Sequence, residues 1–243
     1  MEHASQMQEL ETLKPTFPIV LVGAVKPLLD DERQSGIDKH PVEGPWRITR
    51  TGLIGDAQAD LKNHGGLEKA LHQYPRDHYP TWVSEIAAHP LLDQPGAFGE
   101  NFCTTGWTEA DICIGDVIRF GTAMLQVSQG RQPCWKLNKR FGRNDMAYAV
   151  QMTGRTGWYY RVLQEGIANN GDHLVLEHRP QPDWPLTRLT RLLYRDTKAL
   201  EELAAMATLP ELAEGWRQLA LRRVETSKTE DWSKRLGVQP DKD

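Results

Sequence analysis

A single cysteine, Cys134, stands in the segment Gln129 to Trp135, QGRQPCW, a loop shaped by Gly130 and Pro133 at the end of an apparent β-strand. A thiolate presented in this way can ligate a metal or attack an electrophile. Arg131, three residues upstream, adds a fixed positive charge that favours the ionised sulfur and can grip a phosphate or carboxylate. The competing reading is the commonest fate of a lone cysteine, a small buried hydrophobe.

Four further segments carry polar groups at turn-forming glycines: GDAQAD (55–60), NHGGLEKAL (63–71), PGAFGENF (95–102) and GWYYRVL (157–163). In His64-Gly65-Gly66 the glycines permit close backbone approach, and their amides would bind an anion if the following helix points its N-terminus at the site. A plain turn is the alternative. Lys69 and His72 follow, with Lys69 able to reach a phosphate or simply to face solvent. Phe98-Gly99-Glu100-Asn101 sets a carboxylate and an amide beside a flexible glycine, suited to the polar edge of a heterocycle or to a polar turn. Neither GxxxxGK[ST] nor a helix-opening GxGxxG occurs, which disfavours ATP and NAD folds, and no histidine pair has HExxH spacing. Cys103, Cys113 and Cys134 form no CxxC pair, so neither a disulfide framework nor a cysteine zinc site is expected and a reducing cytoplasm fits best. Cys103 and Cys113 lie in apolar stretches and read as packing residues.

The elements that must position these groups are mostly short β-runs between glycines and prolines, at 19–25, 46–51, 117–120, 123–128 and 174–177, the pattern of a β-barrel or sandwich. Tyr79, Trp82, Val83 and Ile86 predict a helix after Pro75, and a further helix is predicted over Trp158 to Glu165. Beyond Arg179 the chain changes character. Pro180, Pro182 and Pro185 form a stiff connector, after which Leu189, Leu192, Leu193, Leu200 and Leu203, then Leu212, Trp216, Leu219 and Ala220, recur at helical spacing. Thr208 and Glu211 have the offset of a capping box, placing a helix start there. The expected organisation is a polar tail over 1–16, a β-barrel domain over 17–180 with peripheral helices, and a helical subdomain over 181–243. From 181 onward basic and acidic residues are equal in number, 11 each, and the whole chain carries a net charge of −4. Nucleic acid and anionic membrane are therefore not expected partners. The longest apolar run, Phe17 to Val25, is too short to span a bilayer.

Taken in order, GDAQAD, HGGLEKAL, YPRDHY, GAFGENF, IGD (114–116), VSQGRQPCWKL and GWYYRV resemble the MOSC family, and WRQLALRRVETSKTEDWSKRL resembles the ending of one branch of it. The resemblance covers nearly all of 20–238. It implies a mainly β fold, a MOSC-type barrel binding molybdenum cofactor, with Cys134 as the metal ligand. It implies that Arg131 faces the anionic cofactor and that Gln129, His64, Gly65, Gly66, Lys69, Gly99, Glu100 and Asn101 line the pocket. The implied activity is reduction of N-hydroxylated compounds, hydroxylaminopurines or amidoximes, to amines or amidines, with His64 or Glu100 as proton donor. Three cysteines are too few for an iron-sulfur cluster, so an external flavoprotein reductase is the expected electron donor. Gly130 departs from the family's usual proline. Two other functions compete: a thiol hydrolase or transferase with Cys134 as nucleophile and His64 as base, and a noncatalytic carrier of the cofactor or of sulfur.

Overall fold

The computed structural model describes residues 13–28, 31–60 and 64–237. Its strands are β1 (Ile19–Val22), β2 (Lys26–Leu28), β3 (Asp31–Ser35), β4 (His40–Pro41), β5 (Trp46–Thr49), β6 (Gly52–Leu53), β7 (Leu71–Pro75), β8 (Phe102–Thr104), β9 (Val117–Phe120), β10 (Ala123–Gly130), β11 (Trp158–Gln164), β12 (Gly166–Ala168) and β13 (Leu174–His178). Eight form one sheet in the order β13-β9-β10-β11-β7-β8-β1-β4, antiparallel except for the β7–β8 pair. Thr16, just ahead of β1, exchanges two backbone hydrogen bonds with Leu174 of β13, an isolated bridge that ties edge strand β13 to the β1 side of the sheet and curls it into a barrel-like form. Residues 13–16 are thus part of the fold, and Lys14 also accepts a hydrogen bond from the Trp107 indole at 2.7 Å. The rest of the expected polar tail lies outside the described residues.

Alternation explains the central strands. In β10, Ala123, Leu125 and Val127 are fully buried while Met124 and Gln126 are half-buried. The segment 158–164 is a strand and not the expected helix: Trp158, Tyr160 and Val162 point inward at a period of two, and aromatic and β-branched residues fit a pleated surface between β10 and β7.

Among the described residues the α-helices are α1 (Tyr79–Ile86), α2 (Lys136–Arg140), α3 (Met146–Thr153), α4 (Leu186–Tyr194), α5 (Leu200–Ala207), α6 (Glu214–Thr226) and α7 (Ser233–Leu236). The capping box expected at Thr208 does not form. The Thr208 hydroxyl donates back to Ala205 O at the end of α5, and α6 starts only at Glu214. Burial of Leu209 and Leu212 and the bond from Ala213 N to Ser128 O hold the intervening turn against β10, which overrides the local signal. One apolar core runs from barrel residues such as Phe120, Leu125 and Trp158 into Leu186, Leu189, Leu193 and Trp216, so the helices share the barrel's core. A second cluster collects Tyr74, Trp82, Phe98, Leu137, Met146 and Leu236. The segment 128–136 carries the chain from the first cluster to the second. Among the described residues no helix is long and apolar enough to cross a membrane.

Candidate active site

The loop after β10 is fixed at both ends. Arg131 N donates to Gly157 O at 3.0 Å, and Leu137 N donates to Cys134 O at 2.9 Å, and Cys134 sits two residues before α2 begins. Gly157 has φ +67°, and a Cβ there would fall 2.3 Å from Gln73 O and 2.9 Å from His72 Nε2, so only glycine lets β11 pass this close to β7. Gly130 lies against α6, where a Cβ would be 3.1 Å from Trp216 Cη2. The departure from proline thus coincides with a close helix contact.

Cys134 is 6% exposed, and its Sγ is 3.7 Å from His64 Nε2. It stands between two connected spaces. A narrow inner slot of about 60 Å³ is lined by Ile37, Lys39, Gln58, His72, Phe98, Gly99, Asn101 and Arg131. A wider outer chamber of about 490 Å³ is lined by Asp60, Lys69, Gln129, Gln132, Trp135 and residues of α7. His64, Cys134, Lys136 and Tyr159 border both. Burial, followed by the charges of Lys136 and Arg131, pushes the His64 imidazole down to about 4, so it is neutral near pH 7. Burial likewise depresses His72 well below its ordinary value and lowers Lys39, the latter opposed by Asp56, with which Lys39 Nζ pairs. Arg131 Nη1 and His72 Nε2 are buried without a hydrogen-bond partner, which marks the slot as built for a ligand.

Most residues singled out from the sequence meet here: Cys134, Arg131, His64, Lys69, Gln129, Gly99 and Asn101 all line one or both spaces. Asn101 serves chiefly as a clamp, accepting from His72 N at 3.1 Å and donating to Leu21 O and Asp56 Oδ2. Gly65, Gly66 and Glu100 line neither. After Gly66 comes only a 3₁₀ turn, Leu67–Lys69, and no helix whose N-terminus could hold an anion. Glu100 is fully buried, and its carboxylate accepts from Tyr79 Oη (2.8 Å), Gly96 N (2.7 Å) and Phe98 N (3.0 Å), which assigns it to shaping the 96–100 turn. Lys39, Gln58, Lys136, Tyr159, Lys234 and Arg235 were missed in the sequence. Gln58, Lys136, Tyr159, Lys234 and Arg235 lie within quoted motifs, whereas nothing local marked Lys39.

Among the described residues no cluster of three or more His, Cys, Asp or Glu could hold a metal ion by itself. A metal at Cys134 would therefore have to arrive with ligands of its own.

The profile of the MOSC domain matches residues 60–175, and that of the YiiM-like, 3-alpha helix domain matches residues 184–227. Protein YiiM of Escherichia coli is 36% identical over 204 residues, covering 84% of this chain and 91% of YiiM. The uncharacterized protein YflK of Bacillus subtilis is 42% identical over 190 residues, 78% of this chain and 85% of YflK. A Gibberella moniliformis protein named reductase is 38% identical over 212 residues, but the match spans only 38% of its length. The crystal structure of E. coli YiiM superposes with a TM-score of 0.77 at 31% identity, covering 92% of this chain and 98% of that one. YiiM from Geobacillus stearothermophilus gives 0.73 at 32% identity, covering 86% and 100%. The chain belongs to the MOSC domain family, in the branch that carries the YiiM-like 3-alpha helix domain. MOSC domains are generally associated with binding of molybdenum cofactor.

Proposed function

We propose that this protein is a molybdenum-cofactor-dependent reductase of N-hydroxylated compounds, hydroxylaminopurines or amidoximes, with Cys134 as the protein's ligand to the metal. The observation that carries the reading is the pairing of a soft sulfur donor, Cys134 Sγ, with a buried and unpartnered guanidinium nitrogen, Arg131 Nη1, in one cavity. A thiolate suits a sulfur-ligated metal and the arginine suits an anionic group, so the residues present fit the cofactor. The inner slot and the outer chamber share Cys134, His64, Lys136 and Tyr159 as wall residues, and these would hold the group. The fungal relative named reductase supports the reaction class.

When bound, the cofactor supplies two-electron redox chemistry at the N–O bond. In the overall reaction the hydroxylamine R–NHOH takes up two electrons and two protons, the N–O bond breaks, and R–NH₂ and water leave. Within that scheme Cys134 holds the metal, Arg131 and Lys136 balance negative charge, and Phe98 and Tyr159 keep water from the inner side. His64, neutral at pH 7, offers a hydrogen bond to the sulfur and is no cationic acid. Protons enter through the outer chamber, which opens to solvent, and electrons come from an external flavoprotein.

The contact between Cys134 and His64 also matches a thiol nucleophile with its base. An imidazole held near 4 is a weak base for a thiol, which favours the ligand reading. Expression in cells that make the cofactor decides between them. Wild type should retain molybdenum and turn over repeatedly, and Cys134→Ala should do neither. Full molybdenum-dependent turnover in Cys134→Ala would remove the assignment, and molybdenum binding with one conversion per site would indicate a carrier.

A further inference from the structure

Glu109 lies in the loop between β8 and β9 and belongs to none of the motifs read from the sequence. It is nevertheless only 3% exposed, and both carboxylate oxygens are engaged: Oε1 accepts from Gly157 N at 2.6 Å, and Oε2 pairs with His78 Nε2 at 2.6 Å. Its backbone carbonyl accepts from Thr187 N, at the start of α4, at 3.0 Å. That backbone bond by itself ties the loop to the helical segment. A buried carboxylate is costly unless its oxygens are satisfied, so a side chain that merely filled this space would be apolar. The carboxylate has a target of its own, Gly157.

Gly157 stands between Glu109 and the cysteine loop. Its N–H donates to Glu109 Oε1, and its carbonyl accepts from Arg131 N at 3.0 Å. At φ +67° glycine has no strong conformational preference to hold it, so the position must be fixed by a partner outside the strand. Glu109 is that partner. Residue 157 also passes His72, whose Nε2 would lie 2.9 Å from a Cβ built there. It therefore borders the two residues that leave buried atoms unpartnered in the inner slot, Arg131 and His72.

Glu109 acts from outside that slot. With His78 it lines a cavity of about 370 Å³ where the barrel meets α4, walled also by Gln151, Arg155, Thr190 and Arg191. None of that cavity's lining residues borders either space at Cys134. The link to the cysteine loop is the hydrogen-bond path from Glu109 through Gly157 to Arg131.

We propose that Glu109 is a positioning residue for Arg131: by pinning Gly157 it fixes where the Arg131 guanidinium stands in the inner slot. The consequence for cofactor retention rests on the reductase reading, whereas the positioning itself does not.

The test compares amide hydrogen exchange at Arg131 and Val127 in the isotope-labelled full-length chain, purified from cells unable to make the cofactor. Val127 N donates to Asp116 O at 2.9 Å within β10 and is reached by none of the bonds that Glu109 makes, so its protection reports global stability. Glu109→Ala should lower the protection of Arg131 relative to Val127 by at least about 10-fold. Glu109→Gln should restore the wild-type ratio, because its amide oxygen still accepts from Gly157 N and its N–H₂ donates to the His78 ring. Glu109→Asp keeps the charge but falls one methylene short of Gly157, so it should behave like Glu109→Ala and replaces it if that variant does not fold. A wild-type ratio in Glu109→Ala or Glu109→Asp, or a ratio lowered as far in Glu109→Gln, would overturn the proposal. In cofactor-producing cells Glu109→Ala should lose molybdenum and Glu109→Gln should keep it, and a Glu109→Ala protein with the wild type's full content would also overturn the proposal. A wild type without molybdenum would refute the reductase reading alone, with the exchange ratios still deciding the role of Glu109.

Discussion

Glu100 offers the sharpest test of how geometry separates a structural carboxylate from a catalytic one. Its motif suggests a proton donor, yet both oxygens are engaged by Tyr79 Oη, Gly96 N and Phe98 N in a fully buried setting. Glu100→Ala strips the acceptor from three buried donors at once, each worth about 1–3 kcal/mol when left unpaired. The expected loss is therefore at least about 3 kcal/mol, a large share of the roughly 5–15 kcal/mol that holds a typical domain together. Glu100→Gln keeps one carbonyl acceptor but turns an amide N–H₂ toward a backbone N–H, and should cost roughly 1–3 kcal/mol. Urea unfolding of cofactor-free protein, followed by circular dichroism and tryptophan fluorescence, measures both. A Glu100→Ala protein within about 1 kcal/mol of wild type, yet inactive with cofactor bound, would refute the structural assignment and return Glu100 to the proton-donor role.

Gly157→Ala should destabilise the protein by roughly 2–4 kcal/mol, because the new Cβ meets Gln73 O at a positive φ; an unchanged urea midpoint would contradict the close β7–β11 approach. His64 has a folded pKa near 4 against about 6.5 unfolded, so between those values the unfolded chain binds the extra proton and stability falls as pH falls. That contribution, at most roughly 3 kcal/mol, should disappear in His64→Gln. Comparing thermal midpoints at pH 7 and pH 4.5 checks it, and equal acid sensitivity of the two proteins would be the contrary result. Arg223 is buried, donating to Leu193 O at 2.9 Å and to Glu230 Oε2 at 2.8 Å, so Arg223→Ala should cost about 2–4 kcal/mol and loosen the helical segment. Protection of α4 amides in hydrogen exchange reports that loosening, and unaltered protection would count against it.

The readable parts of this chain were those whose meaning is local. The cysteine loop was legible because Arg131, Pro133 and Cys134 lie within four residues, and a strand must deliver such a loop at its end. α1 was legible from one apolar stripe, and the absence of nucleotide-loop motifs needed only pattern. Where a segment's context lay elsewhere, local signals failed. Trp158–Gln164 reads as helix or strand by composition alone, and pairing with β10 and β7 makes it a strand. Thr208 has the spacing of a cap, but buried Leu209 and Leu212 move the helix start.

Sequence by itself determined the chemistry on offer: one cysteine in an arginine-bearing loop, too few cysteines for a cluster, and an acidic chain with no strong nucleic-acid signature. Tertiary structure decided which groups share a cavity. It brought Lys39, His64 and α7 to Cys134, turned Glu100 into a brace and held His64 neutral. The physical reason is that residue type fixes what a group can do, whereas pKa, hydrogen-bond satisfaction and net local charge depend on neighbours that are adjacent only after the barrel closes and the C-terminal helices pack onto it.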